Sequence, residues 1–329
     1  MTKINARQIF LLALVTLLVA WPWINPNPYF LRIAMNLFVL IPVTIGAALT
    51  ARVGQLNSAQ AAFMSIGAYT VAILTTRMGL NFWLVLPLGG IAAGLIALAV
   101  GYPTLRIRGT YFVIMTFGLN ELVRLFWVRF EDLSRGLKGI SGIPAPSSIG
   151  GWQFGSPSSF YHLGLVLMLI CTVALYRIYR SHFGLTLASL GQADTLSESV
   201  GVNIMAVKVK TFIATCLIAG IMGGFYATIQ TYISPNDFGI WTSFYFIIYF
   251  IVGGIGTFAG AIYGVLALVL VPILFESFPG YKPFFRPMFY GLFVMLVVLV
   301  YPRGLVGLVD GVSKLVRRLF NPGLSRAPR

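Results

Sequence analysis

The chain has 329 residues, of which 58% are hydrophobic, 14% aromatic and 9% charged, against about 25% charged in soluble domains. That composition excludes an ordinary soluble enzyme and predicts a chain whose surface faces lipid, as does the mean hydropathy of +0.88. The formal net charge of +15 would suggest nucleic acid if the basic residues clustered, but they stand singly between apolar runs, the pattern of loop charges that orient a membrane protein.

A helix needs about 20 residues to cross a hydrocarbon core of roughly 30 Å. By that measure the sequence holds ten apolar runs: 8–24, 31–51, 59–77, 82–103, 110–128, 161–180, 208–232, 238–254, 257–276 and 287–303. The predicted fold is all-α, a polytopic transmembrane helical bundle of about ten spans forming one domain over 1–329. Lys3 and Arg7 precede the first run, but the WPWINPNPYF that follows has no small-x-small cleavage site, so it is expected to be retained rather than removed as a signal.

Next comes ARVGQLNSAQAAFMSIGAYT at 51–70, where Gln55, Asn57, Ser58 and Gln60 stand ahead of a short apolar stretch. Two readings fit: a broken membrane element lining a substrate path, because unwound backbone at depth must line a cavity or be buried in protein, or a polar cytoplasmic loop before the third span. In run 110–128, Glu121 stands mid-span, where a charge costs about 2.5 to 3.5 kcal/mol on insertion scales. It is expected to face the bundle interior and to pair with Arg124 three residues on, with Thr116 and Asn120 extending the polar stripe. A translocation pathway and a structural ion pair are equal readings of that stripe.

The outer loop 129–160 is rich in Gly, Ser and Pro. Inner segment 182–210 follows span 161–180 and places Asp194 and Glu198 four apart on one helical face. An acidic helical face of this kind suits docking to another protein, while Thr195-x-x-Glu198 also fits a capping box. From Phe238 to Phe275 there is no charge in 38 residues, and GGIGTFAG at 253–260 supplies a turn, which predicts a helical hairpin. Ten spans put both termini on one side. A cytoplasmic N-terminus gives that side 15 of the 23 Lys and Arg residues, so cytoplasmic termini are expected.

Chemistry is sparse. Cys171 and Cys216 lie inside apolar runs and only His162 and His182 are present, which predicts no disulfide framework, metal centre or catalytic residue. No GxxxxGK[ST], HExxH or GxSxG motif occurs, so no cofactor is expected and energy for transport must come from elsewhere.

Several ordered blocks carry a resemblance: GQLNSAQAAFMSIGAY at 54–69, GTYFVIMTFGLNELVRL at 109–125, GLKGISGIP at 136–144, the run from FGLTLASLGQADTLSESVGV at 183–202 on to Ala227, and SPNDFGIWTSFYFIIYFIVGGIGTFAGAIYG at 234–264. With these the sequence resembles the permease subunits of branched-chain amino-acid ABC importers, the LivM-like half of the LivH/LivM pair. The resemblance implies a permease of a bacterial inner membrane, working with a second, LivH-like permease, two cytoplasmic ATPase subunits and a periplasmic substrate-binding protein, surrounded by lipid and with no role for nucleic acid. It implies that 182–210 is the coupling segment to the ATPase, with Gly184, Asp194, Glu198 and Gly201 as its positions. Gln55, Asn57, Gln60, Thr116, Asn120 and Glu121 then become candidates for the translocation path. Departures from the family pattern are Leu185, Leu187, Ser189 and Leu190 where basic residues are usual, Ala59 for a usual glycine, and Arg135 where a glycine is common. Urea, short amides or aromatic acids are alternative substrates. A stand-alone carrier or channel is the rival class, and a lipid-modifying enzyme is disfavoured because the eight acidic residues are dispersed.

Overall fold

The structure is a computed structural model and describes residues 6–107, 109–148, 154–192, 203–276, 286–301 and 304–308. Its helices are α1 (Ala6–Ile24), α2 (Pro28–Arg52), α3 (Gln60–Met78), α4 (Phe82–Thr104), α5 (Thr110–Arg129), a single turn α6 (Glu131–Ser134), α7 (Pro157–Arg180), α8 (His182–Gln192), α9 (Ile204–Gln230), α10 (Ile240–Gly253), α11 (Phe258–Glu276) and α12 (Arg286–Val300). Each of the ten predicted runs corresponds to one of these helices, with ends agreeing within four residues.

Local chemistry explains where helices begin. Asn27, Asn81 and Asn203 each stand at an N-cap in extended backbone and accept the amide hydrogens of Tyr29, Trp83 and Ala206, and Pro28 and Pro157 occupy first turns where a missing N–H costs nothing.

Six helices, α2, α3, α4, α5, α7 and α9, are long and apolar enough to cross a membrane among the described residues. Run 238–254 does not give a full crossing of its own. Helix α10 has 14 residues, about 21 Å at 1.5 Å per residue, and the chain turns through 113° into α11 instead of folding into a parallel-sided hairpin. Close backbone approach sets that bend: a Cβ at Gly253 would overlap the Gly260 carbonyl, and one at Gly264 would overlap that of Tyr249.

The centre of the bundle is α3 and α9 packed against each other and against α4, with α2 against α9. Lipid supplies no hydrophobic drive between helices, so association rests on close contact. Here Gly67 lies against the backbone of Gly220, and Gly223 against that of Met64, with no room for a side chain at either. The rings of Phe63 and Phe212 close the gap edge to face at 5.3 Å.

The two ends of the bundle differ. At one, α8 folds back under α7 and rests Gly191 on the Arg52 carbonyl, while the Arg52 guanidinium lies 4.1 Å over the Tyr179 ring. At the other, β1 (Ile140–Ser141), in the loop between α6 and α7, pairs antiparallel with β2 (Tyr232–Ile233), Ile140 opposite Ile233.

Candidate functional site

Between α2 and α3 the chain leaves helical geometry from Val53 to Ala59, turning at Gly54 (φ 80°), and this stretch runs through protein rather than over a surface. Gln55, Asn57, Ser58 and Gln60 are all buried. A helix start enclosed in this way leaves amide hydrogens without carbonyl partners, and in a membrane each unsatisfied one costs several kcal/mol. The polar side chains of this segment and its neighbours take up that demand.

Asn57 Oδ1 accepts from the Ala59 amide at 2.9 Å, and Asn57 Nδ2 donates to Gln60 Oε1 at 3.0 Å. The Ser58 amide donates to Thr116 Oγ1 on α5 at 3.1 Å. The Ala61 amide donates to Ser243 Oγ on α10 at 3.0 Å, and that hydroxyl donates to Asn120 Oδ1 at 3.1 Å. Asn120 Nδ2 donates to the Phe238 carbonyl at 3.2 Å. Gln60 Nε2 reaches toward the Thr215 and Val43 carbonyls at 3.4 and 3.5 Å, and Gln55 Nε2 donates to the Leu105 carbonyl at 3.1 Å.

Five of the six residues predicted for a translocation path thus come together: Asn57, Gln60, Thr116 and Asn120 in one cluster joining α2, α3, α5, α9 and α10, with Gln55 tying its edge to the end of α4. Two hydroxyls in the same region, Ser58 Oγ and Thr44 Oγ1, are buried without a hydrogen-bond partner.

Glu121 is placed differently from the expectation. It does pair with Arg124, whose Nε donates to both carboxylate oxygens at 2.9 Å, and Arg124 Nη1 reaches Asn236 Oδ1 at 3.1 Å. The pair does not face the bundle interior: the Glu121 side chain is 32% exposed, on a helix that is only 22% buried. Periodicity explains this, since Thr116 and Asn120 occupy the inward stripe of α5, and Glu121, one position on, turns about 100° away from it.

In the segment expected to couple to an ATPase, α8 buries Gly184, Leu187 and Leu190 and exposes Leu185. Gly184 is a packing position: a Cβ there would overlap the Tyr179 carbonyl, so glycine lets α8 turn tightly under α7. Asp194, Glu198 and Gly201 lie outside the described residues.

Sequence reasoning did not single out Ser243, which joins α10 to both α3 and α5. Its signal was one small hydroxyl inside the aromatic run WTSFYFIIYF. Trp127 was also passed over. Its indole stacks on Tyr69 at 4.2 Å and donates to Ser65 Oγ at 3.1 Å, fastening α5 to α3.

Residues 29–301 match the family model described as branched-chain amino acid transport system / permease component. The chain belongs to that family. It is 29% identical over 276 residues to the high-affinity branched-chain amino acid transport system permease protein LivM of Escherichia coli (strain K12), covering 76% of this chain and 64% of that relative. The protein of the same name in Salmonella typhimurium gives the same identity and coverage. The nucleoside ABC transporter permease protein NupC of Lactococcus lactis subsp. cremoris is 23% identical over 202 residues, 57% of this chain and 63% of that relative. The chain therefore spans less than two thirds of the length of these relatives. No solved structure matches it. Membership makes the chain a permease component of that family, and its apolar helices make it a multi-pass α-helical membrane protein.

Proposed function

We propose that this chain is the LivM-like permease of an ATP-driven importer that moves branched-chain amino acids into the bacterial cytoplasm. The observation that carries this reading is the family match over 29–301. The named activities of the two LivM relatives favour branched-chain amino acids over urea, short amides or aromatic acids.

The proposed partners are a LivH-like second permease, two cytoplasmic ATPases and a periplasmic binding protein. Helix α5 supports the first. It exposes Tyr111, Ile114, Leu122 and Leu125 beside the Glu121–Arg124 pair, and a charge pair left in lipid at mid-helix carries an insertion cost of a few kcal/mol. A second permease seated on α5 relieves that cost and places Glu121 beside the path between the two subunits.

The ATPases dock at α8 and the residues after it, with Leu185 as the exposed apolar contact and Gly184, Asp194, Glu198 and Gly201 as the other coupling positions. Force applied there reaches α2 through the Gly191–Arg52 contact, and α2 leads directly into the segment carrying Gln55, Asn57 and Gln60. Transport in this account requires the cluster around Asn57, Gln60, Thr116 and Asn120 to open. Its closed, bonded form then belongs to a resting state.

The proposed topology keeps both termini cytoplasmic with about ten membrane segments. Support comes from α10 and α11: Tyr245 in the first half of α10 and Pro272 near the end of α11 line the same cavity as Tyr29 at the start of α2, so the end of α11 returns to the end of the bundle where α2 begins. Taken as two crossings or as one re-entrant pair, they leave the side of the C-terminus unchanged.

Affinity purification of the tagged full chain from its native membranes tests the assembly. A second permease and ATP-binding subunits in the eluate, with the ATP-binding subunits alone lost when Leu185 is changed to Asp, are the expected result. A chain that elutes alone from mild detergent, yet moves substrate, contradicts it.

A further inference from the structure

Away from the polar cluster, a cavity of about 640 Å³ opens between α2, α10, α11 and α12. Its polar lining comes from Arg32, Asn36 and four tyrosines, Tyr29, Tyr245, Tyr249 and Tyr290, and its apolar wall includes Leu268, Val269 and Ile273. Two polar atoms there are buried without a hydrogen-bond partner, Asn36 Oδ1 and the Tyr290 hydroxyl, and buried polar groups of this kind are normally satisfied. The exposed Arg32 forms no ion pair with any described residue.

The position of the cavity points to what fills it. Arg32 lies four residues into α2, roughly 6 Å from its start, and the exposed rings of Trp23 and Tyr29 precede it, the belt expected at a membrane–water interface. Beyond the mouth, α12 presents Leu292, Met295 and Leu299 as an exposed ridge, three and four residues apart and hence on one face. A cation at headgroup depth, donors and acceptors below it and an apolar track beside it match an amphiphile. At about 30 Å³ per water-sized group the cavity holds roughly twenty such groups, about twice what a free amino acid brings.

We propose that this cavity binds a phospholipid headgroup, with its phosphate at the Arg32 guanidinium, a donor hydrogen of the headgroup at Asn36 Oδ1, and its acyl chains along the α12 ridge. Charge-assisted bonds from arginine to phosphate oxygens are the strong kind, and the Tyr290 hydroxyl supplies a further donor. Asn36 Oδ1 needs a hydrogen, which an ethanolamine ammonium or a glycerol hydroxyl provides and a choline does not. The assignment does not depend on the transport reading.

Native mass spectrometry of the full-length, delipidated chain titrated separately with phosphatidylethanolamine, phosphatidylglycerol and phosphatidylcholine tests it. Retention of the first two about tenfold above the third is expected, with Arg32→Ala lowering it about tenfold, the size of one charge-assisted bond. Gly291→Leu gives a second variant, because Gly291 lines the cavity and a Cβ there meets nothing within 4 Å. It fills the site without crowding the fold and should lower retention similarly. Equal retention of all three lipids, unchanged retention in both variants, or displacement by millimolar free leucine or inorganic phosphate would each overturn the proposal.

Discussion

The Ser243 hydroxyl accepts the amide hydrogen of Ala61 at 3.0 Å, across 182 residues of sequence. That bond satisfies the buried start of α3 with a side chain from α10, and the same hydroxyl continues to Asn120 on α5. Three helices are thus held at one atom.

Ser243→Ala leaves the Ala61 amide unbonded and Asn120 Oδ1 without its donor. Removing one partner from a buried hydrogen bond costs about 1 to 3 kcal/mol, so the variant is expected to melt measurably earlier in detergent. Ser243→Cys, which keeps a weak donor and acceptor, should recover part of the loss. An unchanged melting temperature for Ser243→Ala would show that this bond does not hold the three helices.

At the centre of the bundle, Gly67→Ala drives a methyl group into the Gly220 backbone, and overpacking of this kind costs about 3 kcal/mol or more when neither helix can yield. Gly118→Ala on α5 meets nothing within 4 Å and should be neutral or stabilising by up to about 1 kcal/mol, the helix preference of alanine over glycine. Thermal unfolding of the pair of variants side by side gives the comparison. Equal behaviour would contradict the close approach of α3 and α9.

Sidedness has a direct test because both native cysteines, Cys171 and Cys216, are buried. Leu137 in the outer loop and Leu185 on α8 are exposed, at 60% and 64%, and one long helix, α7, separates them. Leu137→Cys should react with a membrane-impermeant maleimide added to the periplasmic side, and Leu185→Cys only after the cytoplasmic side is opened. Labelling of both from one side would rule out α7 as a crossing.

For coupling, Glu121→Gln removes the charge of the half-exposed pair on α5 while keeping a hydrogen-bond acceptor for Arg124. Arg124 also keeps its bond to Asn236 Oδ1, so the isolated chain should melt nearly as before. Association with the second permease should weaken, read as loss of that subunit during co-purification. Retention of the full complex would remove Glu121 from the subunit contact.

The apolar runs were legible because each helix is bounded locally. Asn27 with Pro28, Asn81 and Asn203 mark starts, and Gly79 marks an end in left-handed backbone. Burial of Thr116 and Asn120 was legible too, because polar residues within apolar runs must find partners, whereas Asn57 and Gln60 fitted a polar cytoplasmic loop as well as a buried element. What they bond to was not, since Ser243 and Phe238 arrive from more than a hundred residues away. The outward turn of Glu121 depends on which face of α5 the rest of the bundle covers, and the 113° bend after α10 depends on Gly253, Gly260 and Gly264 meeting backbone carbonyls. Both are products of packing between segments, which hydropathy along one segment does not record.

The central claim is that this chain moves substrate only as the permease of an ATP-driven complex. Uptake of radiolabelled leucine into proteoliposomes, with the chain, its co-purifying subunits, binding protein and ATP each added or withheld, tests it most directly, with urea and a nucleoside as competing labels. The account predicts accumulation that requires every component and prefers leucine. Uptake by the chain alone, insensitive to ATP, would contradict it.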